Sequence, residues 1–107
     1  MVPEISCKET YELLKSERPP ILLDVREPME RHSAHIGGIH IPMAEVAAKL
    51  DQIEAYKNET LIVYCRSGKR SMGIASFLRS LGFASVYNLK GGLLDWRREV
   101  DTALAVE

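Results

Sequence analysis

Apolar residues in this chain fall in short blocks separated by polar, helix-spaced segments. Ile21-Leu22-Leu23-Asp24-Val25 and Leu61-Ile62-Val63-Tyr64 are brief and almost wholly apolar. That pattern predicts strands buried on both faces. Val86-Tyr87-Asn88-Leu89 reads the same way, and Ile39-His40-Ile41 is a shorter strand between the Gly37-Gly38 break and Pro42. Ser6 followed by Glu9 has the form of a capping box. Tyr11, Leu13 and Leu14 supply apolar positions for the helix it opens, and Arg18-Pro19-Pro20 stops that helix. Residues 26–35 are polar and irregular, with a helical turn after Pro28. Ala44 to Ile53 has helical spacing through Val46, Leu50 and Ile53. Ile74, Phe77, Leu78 and Leu81 form the stripe of a helix from Met72 to Leu81, with Gly82 as its stop. Gly91-Gly92 leads into a last helix whose Leu93 and Trp96 read as core. Apolar strands alternating with helices predict an α/β fold with a parallel sheet covered on both faces.

At 107 residues and 46% hydrophobic composition, residues 1–107 are expected to form one domain with a real core. The formal net charge of −1 gives no global field for nucleic acid or for an anionic membrane. Any attraction for anions must be local. No apolar run approaches the roughly 20 residues of a membrane span, and no signal-peptide pattern is visible at Met1 onward. Two cysteines do not make a disulfide framework. The expectation is a cytoplasmic protein with reduced thiols.

The chemistry concentrates at Cys65. It ends a predicted strand and opens Cys65-Arg66-Ser67-Gly68-Lys69-Arg70-Ser71, ahead of a helix. Sites in parallel sheets form at the carboxyl ends of strands. Backbone N–H groups converge there and the helix dipole is positive, which favours thiolate, the nucleophilic form. The loop can curl into a nest of inward N–H groups, with Gly68 supplying a positive φ. Arg66, Lys69 and Arg70 add charge, and Ser67 and Ser71 add hydroxyls that could donate to sulfur; Ser71 could also cap the helix. A thiolate in such a nest could attack the outer sulfur of thiosulfate, leaving a persulfide and sulfite, and then pass the sulfur to a thiol or cyanide by double displacement. No step calls for a cofactor or a metal.

These residues carry a resemblance. The chain is similar to single-domain rhodaneses, a family of thiosulfate sulfurtransferase-like modules, over nearly its whole length. The matching stretches are Leu23 to Pro28, His35-Ile36 with Gly38, Ile41-Pro42, Val63 to Ser71, Gly82-Phe83, Val86 to Leu89, Gly91-Gly92 and Trp96. The resemblance implies a five-stranded, mostly parallel sheet flanked by helices on both faces, with Cys65 as persulfide carrier. It departs from the family pattern where Ala34 precedes His35, where Gly38 to Pro42 is one residue short, and where Arg31 replaces a common aromatic. The ending from Trp96 to Asp101 resembles rhodanese domains found with enzymes that activate sulfur-carrier proteins. A sulfur-carrier protein as acceptor, or a desulfurase as donor, fits that cue.

Two other readings stand beside it. A cysteine phosphatase or arsenate reductase also uses Cys and Arg around an anion, but places five residues between them, against four between Cys65 and Arg70. A docking or regulatory module of the same fold usually lacks the cysteine. Among supporting residues, Asp24 could accept loop N–H or Arg bonds, and Arg26 could enter the entrance; the plainer alternative is a turn-capping Asp beside a surface Arg. The loose spacing of His32, His35 and His40 favours structural hydrogen bonds over zinc, with His35 fastening the Gly37-Gly38 turn. Cys7 could act as a resolving thiol only if it comes near Cys65. Lys90 reads as solvated, with the site mouth as the alternative.

Overall fold

The computed structural model describes residues 2–106. Its elements are β1 (Glu4–Ile5), α1 (Cys7–Leu14), β2 (Ile21–Asp24), α2 (Pro28–Ser33), β3 (Ile39–His40), β4 (Thr60–Tyr64), α3 (Lys69–Ser80), β5 (Ser85–Leu89) and α4 (Gly92–Glu99), with three 3-10 turns between β3 and β4. The strands form one sheet in the order β1-β5-β4-β2-β3. Every pairing is parallel. The fifth strand, β1, is two residues long, too short to show a pattern, and exists because Glu4 and Ile5 register against Asn88 and Leu89.

Period-two alternation divides the core. Leu23, Leu61, Val63 and Cys65 belong to one cluster, closed by Ile74, Ala75 and Leu78 of α3. Leu22, Ile62 and Tyr64 belong to the other, closed by Cys7 of α1 and by Leu93 and Trp96 of α4. Trp96 and Leu93 are core residues, as their positions suggest. β4 is the central strand, flanked by β2 and β5. From β2 the chain steps outward to β3 and then back across to β4. The carboxyl ends of β2 and β4 therefore border a switch in winding direction, where crevices form in parallel sheets.

Several elements differ from their sequence pattern. Ala44 to Ile53 is not an α-helix but two 3-10 segments, Met43–Glu45 and Ala47–Gln52, broken at Lys49. Lys49 N–H donates to Val46 O and Ile53 N–H to Leu50 O, so bonds close after three residues rather than four. Val46 and Ile53 are still drawn into the core and Leu50 packs against it; tertiary anchoring, not helical period, sets this segment. On α1 the buried residues are Cys7 and Thr10, while Tyr11 and Leu13 are exposed and Leu14 packs on the second cluster. Helix α3 starts at Lys69, three residues before Met72, with Gly68 rather than Ser71 as its N-cap. Leu81, read as part of its stripe, lies past its end and is exposed.

Candidate active site

The loop after β4 curls because its carbonyls are held elsewhere. The N–H groups of Leu93 and Leu94, in the first turn of α4, donate to Cys65 O and Arg66 O, both at 3.0 Å. This turns the following N–H groups inward. A Cβ at Gly92 would meet the same two carbonyls at 2.6 Å, and its φ of +60° is glycine's territory. Gly68, at φ +93°, completes the curl and starts α3. The Gly91-Gly92 pair, distant in sequence, is thus the floor on which the cysteine loop rests.

The result is a sulfur ringed by donors. Cys65 Sγ accepts from Gly68 N–H at 3.2 Å, Ser71 N–H at 3.4 Å and the Ser71 hydroxyl at 3.3 Å. Burial alone would push this thiol up, since Cys65 is fully buried. The Ser71 hydroxyl and N–H, with the N–H groups of Gly68 and Ser67, outweigh burial and hold it below the usual thiol range. Arg66, Ser67 and Lys69 are exposed at the rim of the loop.

Arg70 is not aimed at an empty nest. Its two terminal nitrogens donate to the carboxylate of Glu30 on α2, at 2.7 and 2.8 Å. Glu30 was not singled out in the sequence. Its only signal there is the capping-box position it holds on α2, where Glu30 Oε1 also accepts from Glu27 N–H. The Arg70 bond, against some burial and with help from Glu27 N–H, pulls the Glu30 carboxyl down to about 2.

Asp24 both caps its turn, accepting from Arg26 N–H at 3.0 Å, and accepts Arg bonds, whereas Arg26 takes neither predicted position. Arg26 is 2% exposed, so it is neither a surface residue nor in the entrance. It makes a bidentate pair with Asp24, both bonds at 2.9 Å, and donates to Glu30 O and Ala34 O. Burial would raise Asp24, but the Arg26 bonds prevail and hold its carboxyl below the ordinary value. Asp24 accepts from Arg26 and Arg31. Through its bonds to Glu30 O and Ala34 O the pair braces α2 and with it Glu30.

Arg31 explains its own departure from the family pattern. Its guanidinium donates to Asp24 at 3.4 Å, Gly37 O at 3.3 Å and Gly38 O at 3.0 Å, and Tyr64 OH donates to Gly37 O at 2.9 Å. A cation with several donors ties down the carbonyls of the shortened turn. His35 Nδ1 accepts from Gly37 N–H at 2.9 Å, so it does fasten that turn. His40 Nε2 donates to Arg26 O at 2.8 Å. Among the described residues no three His, Cys, Asp or Glu gather as a metal site. Cys7 is not placed as a resolving thiol. It is buried in the other cluster, near the carbonyls of Lys90 and Gly92, and burial, then Glu99 and Asp95, push it up to about 12. Lys90 is exposed.

A family model described as Rhodanese-like domain matches residues 6–99. The chain belongs to the rhodanese-like family. It is 31% identical over 99 residues to a sulfurtransferase of Allochromatium vinosum, covering 92% of this chain and 91% of that protein. It is 37% identical over 103 residues to the adenylyltransferase and sulfurtransferase MOCS3-1 of Zea mays, covering 91% of this chain but 22% of that one. It likewise spans only 51% of YrkF of Bacillus subtilis, to which it is 35% identical, covering 89% of this chain. The crystal structure of a rhodanese-related protein from Thermoplasma volcanium superposes with a TM-score of 0.82 at 30% identity, over 98% of this chain and 99% of that one. The five-stranded rhodanese-like fold is thus seen both in the sheet itself and in its neighbours. Among the described residues no helix is long and apolar enough to cross a membrane.

Proposed function

We propose that this rhodanese-like chain is a sulfurtransferase that carries sulfane sulfur on Cys65. The observation that carries this reading is the donor ring of Gly68 and Ser71 around Cys65 Sγ. It stabilises an anionic sulfur without any metal or cofactor. Thiolate attack on the outer sulfur of thiosulfate forms the Cys65 S–S bond and breaks the donor's S–S bond, whose electron pair leaves with sulfite. A thiol or cyanide then takes the outer sulfur and restores the thiolate. Arg66 and Lys69 at the rim draw the anionic donor in. Arg70, already shared with Glu30, holds α2 against the loop. The relative YrkF, a sulfur carrier protein by name, and the Zea mays relative, an adenylyltransferase and sulfurtransferase by name, support a sulfur-carrier context for the acceptor. A desulfurase persulfide fits as a donor by the same chemistry.

Intact mass before and after thiosulfate tests this, with Cys65→Ser alongside. The expected result is one added sulfur (about 32 Da), removed by cyanide or dithiol and absent from a folded Cys65→Ser variant. Sulfur gained by the variant, or by neither protein with any sulfane donor, would refute it.

A further inference from the structure

Ser71 and Asn88 are both fully buried. The Ser71 hydroxyl has one hydrogen and faces two acceptors, Cys65 Sγ at 3.3 Å and Asn88 Oδ1 at 2.5 Å. The Asn88 amide is not free to turn round. Its Nδ2 donates both hydrogens, to Gly68 O at 3.1 Å and to Glu4 Oε2 at 3.0 Å. Glu4 is there because β1 registers Glu4 directly against Asn88. Two acceptors on one side of the amide leave Oδ1 facing Ser71.

We propose that Asn88, oriented by Glu4, is a positioning residue that holds the Ser71 hydrogen while Cys65 Sγ is neutral and releases it when Sγ is charged. This rests on the reading of Cys65 as the sulfur carrier. On uptake, Sγ changes from thiolate to the neutral inner sulfur of a persulfide, and the Ser71 hydrogen turns to Asn88. On discharge an acceptor thiolate bonds to the outer sulfur, the Cys65 S–S bond breaks with its electron pair left on Sγ, and the hydrogen swings back. Neither charge state then strands a buried hydroxyl hydrogen. Without Asn88 only the charged state would satisfy it, so the thiolate would be over-stabilised.

Thiolate absorbance of the full chain, titrated against pH with Cys65→Ser as blank, tests this on wild type, Ser71→Ala, Asn88→Ala and the double variant. Arg66, Lys69, Arg70 and Glu30, the charged groups around the loop, stay unchanged throughout. Ser71→Ala loses a donor to the anion and raises the Cys65 pKa. Asn88→Ala lowers it by about half a unit, roughly threefold more thiolate, and has little effect once Ser71 is alanine. If Asn88 merely braces the loop through Gly68 O, Asn88→Ala raises the pKa equally in both backgrounds; that result, or no shift, overturns the proposal. Glu4 is exposed on an edge strand, so its variants serve should Asn88→Ala not fold. Glu4→Ala frees the amide and falls below Glu4→Gln, which is uncharged yet still accepts; equal values overturn the proposal. Failure of the wild type to gain sulfur would strike the sulfur-carrier reading and leave the titration to judge Asn88.

Discussion

Replacing Glu30 by glutamine should cost stability in a way that pH reveals. The residue keeps its size and an oxygen for Glu27 N–H and Arg70, but loses its charge. In the folded chain the Arg70 bond is the largest influence on this carboxyl, which falls from 4.5 to about 2. That fall corresponds to about 3.4 kcal/mol in favour of the charged form. Part of it comes from Glu27 N–H, and the Arg70 and Glu30 side chains are 31% and 21% exposed. Solvent screening therefore leaves about 1–2 kcal/mol for the charge itself. A depressed carboxyl stabilises the fold above its unfolded value and loses that contribution as pH falls through the folded one. The window is thus from 4.5 down to about 2. Urea unfolding near pH 7 should show Glu30→Gln less stable by about 1–2 kcal/mol, and near pH 3 the gap should shrink to less than half. A gap equally wide at the lower pH, or none near neutrality, would refute the argument that the α2–α3 ion pair holds this side of the site.

The two thiols should separate by reactivity. Cys65 lies below the usual thiol range and Cys7 is pushed up to about 12, so native alkylation near pH 8 should label Cys65 first, with Cys7 reacting only on unfolding; peptide mass mapping that finds equal labelling would contradict this. Tyr64→Phe should lower stability by about 1–2 kcal/mol, because the hydroxyl joins Gly37 O and Ile36 N–H in the turn, and a denaturation midpoint matching the wild type would show the bond to be idle.

The local chemistry of the cysteine was written in contiguous residues. Cys65, Gly68 and Ser71 lie within seven positions, so the strand, the loop and the donors beside one sulfur were readable together, although the curl itself is held by Leu93 and Leu94 N–H of α4. The central strands were equally plain, since burial on both faces demands unbroken apolar runs. Other features depended on neighbours far along the chain. β1 is two residues that become a strand only by registering against β5. Ala44 to Ile53 shows a helical period but is shaped by separate anchors in the core. Tertiary structure alone joined Arg70 to Glu30, forty residues away, and withdrew Arg26 from the entrance into a buried pair with Asp24. Asn88 read as one more strand residue until the sheet set it between Glu4 and Ser71. Sequence patterns record the burial and backbone preferences of nearby residues. Which charges neutralise one another, and which acceptor a single hydrogen meets, is decided by the packing of β1, α2 and α4 around the end of β4.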